Sequence, residues 1–180
     1  MRPLFTVNAG EYLAGNELER RGFVVWIPSK DTGVDLLLSD RRLKRVVPIQ
    51  VKISRDFSLE NSLDLHERLY AAGFFSTRLS KIQKSPATYW MLGIVKQALK
   101  EIDWVIIPPK KLYLKLIRTH GKQDKIQHFF VWVSEKRRCW EANGLSRADQ
   151  RSIARDQFSH GQRDLTPYLN SWKLLSRELR

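Results

Sequence analysis

Asp35, Gln50 and Lys52 are the residues whose types and spacing can do chemistry. Asp35 stands in Gly33–Val34–Asp35–Leu36–Leu37–Leu38, a carboxylate set against three leucines. Gln50 and Lys52 alternate with Ile49, Val51 and Ile53 in the apolar run that begins at Val46. Both stretches read as β-strands, and a strand points successive side chains to opposite faces, so Gln50 and Lys52 share a face. The connection through Asp40–Arg41–Arg42 is short enough for an antiparallel hairpin. A carboxylate on one strand then faces an amide and an ammonium on its neighbour. Charged side chains are rarely buried unless paired or metal-bound. This trio suits a divalent metal and a scissile phosphate.

The surrounding elements must position these groups. Asn8 is a good helix N-cap, and Glu11 three residues later completes a capping-box pattern. Arg20–Arg21 suit the last turn and Gly22 the position just beyond it, which predicts a helix over 9–21. The β-branched and aromatic run at 23–27 predicts a strand, followed by a turn over 29–33. Pro48 implies a bulge, or a side of its strand whose N–H is not needed in the ladder. Residues 55–88 read as polar and mixed, with leucines 59, 63, 65 and 69 of poor helical period. Basic residues there interleave with Tyr70, Phe74 and Phe75, a pattern that serves either a core or base stacking. Further strands are predicted at 89–95, 104–107 and 126–134. Helices are predicted at 110–118, at 147–158 behind a Ser146 cap, and at 165–178.

The chain has 180 residues, enough for one domain, and no stretch divides it clearly. We therefore expect a single domain over 1–180, with 135–180 as a helical C-terminal extension. The element order predicts an α/β or mixed α+β fold, with a central mixed β-sheet flanked by helices. No apolar run approaches the roughly 20 residues of a membrane span. Met1–Phe5 shows no leader-like apolar segment, and the one cysteine, Cys139, has no zinc-like spacing around it. A cytoplasmic location is the expectation.

The formal net charge is +13, which favours an anionic partner, nucleic acid above all. Residues 1–60 hold ten Lys/Arg against eight Asp/Glu, residues 61–134 twelve against five, and residues 135–180 ten against six. The strands that carry the trio are thus nearly balanced, and the excess lies downstream, where it can grip phosphates. Lys30, Arg55, Arg78, Lys81 and Lys84 are the candidate nucleic-acid contacts. The four histidines show no ligand spacing, and no phosphate-binding glycine loop, dinucleotide fingerprint or nucleophile elbow is present.

Gly10–Glu11 on the first helix, Gly33–Val34–Asp35 and Gln50–Val51–Lys52 together resemble the PD-(D/E)XK nuclease superfamily, whose fold is also called restriction-endonuclease-like. The resemblance is specific over residues 8–54 and rests on pattern alone over 55–134. It implies a metal-dependent endonuclease that hydrolyses DNA, double-stranded or branched, with RNA open as a substrate. It implies Mg²⁺, or Mn²⁺ in its place, held by Asp35, Gln50, the Val51 backbone carbonyl and Glu11. Lys52 would orient the attacking water and offset charge at the phosphate. A homodimer is the corresponding expectation. Gln50 stands where most members carry an acid; in this the motif resembles the Mrr-like restriction enzymes, which tolerate glutamine there. An inactive nucleic-acid-binding module on the same fold is the alternative, and a protein–protein scaffold is a third reading. Taken singly, Glu11 can be a cap, Asp35 a partner of a surface arginine, Lys52 a strand-edge cation and Gln50 a partner of backbone groups.

Overall fold

The computed structural model describes residues 8–30, 32–55, 69–96, 101–122 and 125–180, with the side chain of Arg55 left aside. The leucines at 59, 63 and 65 and His66 lie outside the described residues. The elements run α1 (Ala9–Arg20), β1 (Val24–Trp26), β2 (Leu36–Ser39), β3 (Val46–Arg55), β4 (Leu69–Arg78), α2 (Leu79–Gln83) and β5 (Tyr89–Lys96). They continue with β6 (Glu101–Ile107), α3 (Pro109–His120), β7 (Ile126–Ser134), β8 (Cys139–Glu141), α4 (Arg147–Ala154), a 3₁₀ turn at Thr166–Tyr168, and α5 (Lys173–Glu178). The fold is mixed α+β, with helices on both faces of a mixed sheet. Among the described residues no helix is long and apolar enough to cross a membrane.

The main sheet has five strands in the order β1-β2-β3-β5-β6. Its pairs are antiparallel except β3 with β5, which run parallel from Ile49 opposite Tyr89. A parallel pair needs a crossover, and β4 with α2 lies within it. Pro48 sits just before the parallel ladder begins, so its missing N–H falls outside that ladder, while its carbonyl accepts the Thr88 N–H at 2.8 Å.

Alternation along the strands sorts two cores. Trp90, Leu92, Ile94, Val105 and Ile107 face one side and meet β4, β7, α2 and α3. Tyr89, Met91, Trp104 and Ile106 face the other side and meet α1 and α5. β5 is covered on both faces, which is why it reads as an unbroken apolar run. Gly93 lies at its tightest point. A Cβ there would stand 2.7 Å from Trp104 Cζ3 and 2.9 Å from Ile53 Cγ1. We expect Gly93→Ala to destabilise the fold by about 1–3 kcal/mol, the usual cost of overpacking, read as a lower urea midpoint at unchanged slope.

The region from Arg68 to Lys84, expected to be mixed and irregular, contains β4 and α2. β4 belongs to a second sheet of order β4-β7-β8, antiparallel throughout. Phe75 is buried in the first core, whereas Phe74 lies against Phe130 and His128 on the outer face of that sheet. The aromatics here serve packing. β4 crosses the main sheet at Gly73, which lies against Ile94 and Ser54, and the Phe74 N–H donates to Ser54 Oγ at 2.8 Å.

The C-terminal segment departs from the expected helical extension. Residues 139–141 form β8, paired to β7, and Cys139 and Leu165 enter the first core. Burial pushes the Cys139 thiol well above its usual range. The single helix expected over 165–178 is instead a 3₁₀ turn and the short α5, separated by Asn170 at φ 48°. Tertiary bonds override the helical pattern there. Asn170 N–H donates to the Trp104 carbonyl at 2.6 Å, its Oδ1 accepts from Trp104 N–H at 3.0 Å, and Leu169 bridges to Val105. The helix expected over 147–158 ends at Ala154, with Asp156 at φ 57° beyond it.

α5 is tied to the main sheet by the Tyr89 hydroxyl, which donates to Glu178 Oε1 at 3.0 Å. Burial, then this bond to a carboxylate, pushes the Tyr89 phenol up to about 12. A raised folded-state value favours the protonated phenol. This contribution is therefore complete below pH 10, the ordinary phenol value, and lost as pH rises through about 12. A Tyr89→Phe variant should lose that alkaline dependence, seen by comparing melts of both proteins across this range.

Candidate metal and phosphate site

α1 starts with Asn8 as N-cap. Its second residue, Gly10, lies against β3, where an added Cβ would be 3.2 Å from Ile53 Cβ. That close approach sets Glu11 beside the strand that carries Gln50 and Lys52. Gly33, at φ +83°, turns the chain against Pro86 so that Val34–Asp35 enters the sheet. The Asp35 N–H donates to the Ile49 carbonyl at 2.8 Å. Val34, Leu36 and Leu38 are buried on one side, leaving Asp35 on the other.

Glu11, Asp35, Gln50, Val51 and Lys52 line one cleft of about 370 Å³, with Lys30 and Lys81 on its walls. Asp35 and Lys52 therefore open onto the same space. An adjoining recess shares Gln50 and Lys81 with the cleft and is also lined by Gly33 and Lys84. A third recess shares Glu11, Val51 and Lys52 and reaches Phe74 and Ser76. Joined through shared residues, the three form a trough over the middle of β3, between α2 and β4. Arg78 is exposed, occupies the N-cap position of α2, and does not line the cleft. The Arg55 side chain lies outside the described residues.

One oxygen of Asp35 is held firmly. Val51 N–H donates to Oδ2 at 2.7 Å, and Gln50 Nε2 donates to the same oxygen. Gln50 is buried. Its amide therefore presents N–H groups to Asp35 in this state, and a half-turn about its terminal bond would exchange them for the carbonyl oxygen. Glu11 is engaged by Asn8: Asn8 N–H donates to Oε2 at 3.1 Å and Asn8 Nδ2 to Oε1 at 2.7 Å. The capping role anticipated for Glu11 is thus present alongside its place at the cleft. Asn8 also lines the cleft, which its sequence role as a cap concealed.

Lys52 is half-buried. Burial, and then the Lys81 ammonium, lower its pKa, while Asp35 acts in the opposite direction. The site thus carries a cation that is partly desolvated beside a carboxylate, an arrangement common where charge must be met in a reaction. Among the described residues, no three His, Cys, Asp or Glu side chains gather as a metal-binding group. The side-chain oxygens lining the cleft belong to two carboxylates, Glu11 and Asp35, and two amides, Asn8 and Gln50.

No protein-family description matches the chain, and no curated protein matches it in sequence. In three dimensions a match exists. The chain is similar in fold to a bacterial homing endonuclease, I-Ssp6803I. The TM-score is 0.50 at 11% sequence identity, over 99% of this chain and 95% of the other. At that identity the likeness speaks for the fold. It extends through the C-terminal residues, for which the sequence offered no relative.

Proposed function

We propose that the chain is a metal-dependent endonuclease of the PD-(D/E)XK type, acting on DNA. The observation that carries this reading is the convergence of Asp35, Gln50, Lys52 and Glu11, from three separate elements, on one cleft. The endonuclease fold likeness and the net charge of +13 agree with it.

The donor set fits a hard divalent cation such as Mg²⁺, which takes oxygen ligands and keeps several waters. Asp35, the Val51 carbonyl, a rotated Gln50 amide and Glu11 would hold it, with Mn²⁺ able to replace it. Such an ion, when bound, polarises the phosphodiester and acidifies a bound water. Lys52 offsets charge as the water oxygen bonds to phosphorus and the bond to the leaving oxygen breaks. Lys30, Lys81 and Lys84 hold flanking phosphates. The test is cleavage of plasmid and branched DNA by the purified chain, with Mg²⁺ or Mn²⁺ against EDTA. The reading predicts products only with metal, and it fails if no metal yields any.

A second reading is favoured by one observation. Gln50 donates to Asp35, so a carboxylate that would bind a cation already has a neutral partner. On that reading the chain binds nucleic acid without cutting it, and binding is salt-sensitive yet indifferent to Asp35 and Lys52.

Gln50→Glu separates the two. It sets a second carboxylate against Asp35 and removes a donor from a buried contact, so we expect a loss of about 1–3 kcal/mol in EDTA. Mg²⁺ should restore much of that loss if the cleft is a metal site, because a ligand of the native state alone raises stability. Thermal melts with and without Mg²⁺ give the answer.

A further inference from the structure

A second concavity, of about 660 Å³, lies outside the trough described above. One wall is α3, where Lys111, Lys115 and Arg118 fall four and three residues apart and so share a face. The opposite wall is the loop after α4, carrying His160 and Gln162, with Tyr168 beyond it. That loop is firmly built. The His160 carbonyl accepts the N–H groups of Arg163 at 2.9 Å and Asp164 at 3.1 Å, and the Glu141 N–H of β8 donates to the Arg163 carbonyl at 2.9 Å. The His160 ring is stacked parallel to Phe158 at 6.2 Å.

Lys115 bridges the two walls, donating to the carbonyls of Gly161 at 3.2 Å and Gln162 at 3.3 Å. It is half-buried, and burial lowers its pKa. Arg118 and Lys111 add in the same direction, and Asp164 opposes them. Lys111 and Arg118 are exposed, and among the described residues neither has a carboxylate within ion-pair distance. Three cations thus converge on a concave surface faced by imidazole, amide and phenol groups. This is the chemistry of a phosphate receptor. α2 packs on α3 through Leu79, Ile82, Leu112 and Leu116. Lys81 on α2 lines the cleft, and Lys84 just after the helix lines its adjoining recess, so α2 joins that side to α3.

We propose that the Lys111–Arg118–His160 pocket is a second phosphate site, holding the backbone of the same nucleic acid that the cleft binds. The inference rests on the nucleic-acid reading above but not on catalysis. The nucleic acid would run from Lys52 across α2 onto α3.

The test measures duplex DNA affinity by fluorescence anisotropy in EDTA across a range of salt. Wild type is compared with Lys111→Gln/Arg118→Gln and with a control of equal charge change on the opposite face of the sheet, Lys173→Gln/Arg177→Gln. We expect the pocket variant to bind more weakly and to lose about 2 from the slope of log affinity against log salt, the control changing far less. Equal effects from both pairs, or none from either, overturn the proposal. Inorganic pyrophosphate is titrated in parallel, watching the His160 and Tyr168 resonances. Pyrophosphate binding that the pocket variant loses, with duplex binding unchanged, assigns the site to a free phosphate ligand and overturns the backbone assignment. A pocket variant that shows the expected slope change, with wild type cutting DNA under neither Mg²⁺ nor Mn²⁺, sinks the nuclease reading and leaves this one standing.

Discussion

Replacing Asp35 by alanine should lower metal-dependent DNA cleavage by about a hundredfold to a thousandfold, the scale of removing one preorganised charged or polar group from a reacting centre. Duplex affinity in EDTA should hold or rise slightly, since a negative charge leaves a phosphate-binding cleft. Two consequences of the geometry need controls. Val51 is buried and its N–H donates to Asp35 Oδ2 at 2.7 Å, so alanine strands a backbone donor. That costs about 1–3 kcal/mol. Asp35→Asn keeps an oxygen for Val51 while removing the charge, and should be as inactive as alanine but closer to wild type in stability. Asp35 is also the charge that favours the Lys52 ammonium against burial and Lys81. Lys52→Met is therefore a necessary companion, expected to lower turnover with little change in duplex affinity. Turnover unchanged in Asp35→Asn would remove the cleft from consideration as a cutting centre.

The largest effect on folding should come from Arg163→Ala. Glu141 is 3% exposed and lies in β8. Its Oε2 accepts from the Arg163 guanidinium at 2.6 Å, and its Oε1 accepts the Asn143 N–H at 2.9 Å and lies 3.1 Å from His120 Nε2. Arg163 also donates to the carbonyls of Glu141 and Asn143. Removing the guanidinium leaves a buried carboxylate without its main counter-charge and two carbonyls without a donor. Losing one partner of a buried pair costs about 3–5 kcal/mol, which for a chain of this size lowers Tm by roughly 10 °C. Replacing both partners, Glu141→Leu with Arg163→Met, should cost much less, because no charge is then left unpaired. Urea titrations of the single and double variants provide the measurement. A single-variant loss under 1 kcal/mol would mean the pair is solvated, as at a surface.

The sequence was legible where one physical signal dominated. Asn8 and Glu11 marked the start of α1, and the apolar runs at Tyr89 and Ile126 marked β5 and β7, because caps and apolar, aromatic-rich stretches are local signals. The pairing of Asp35 with Gln50 and Lys52 followed from the two-residue period of strands. β4 escaped because Ala71, Ala72 and Gly73 dilute its pattern. Gly73 is there for the crossing of two sheets, a tertiary demand that no local window contains. The break at Asn170 was hidden for the same reason, since its partners at residues 103 and 104 are far away in sequence. Lys111, Lys115 and Arg118 fall in the helix predicted over 110–118, and only the returning loop at His160 makes their face concave.

Asn170 has one more consequence. A strand at the margin of a sheet offers unpaired N–H and C=O groups, a template on which another chain can add. At Trp104 of β6 both groups are taken by the chain's own Asn170, and Leu169 lies opposite Val105. Asn170 is further held through its Nδ2, which donates to Asp103 at 2.8 Å, and Asp103 also pairs with Arg137. The segment that interrupts the last helix is thus a guard against aggregation, placed where β6 would otherwise be open to edge-to-edge growth.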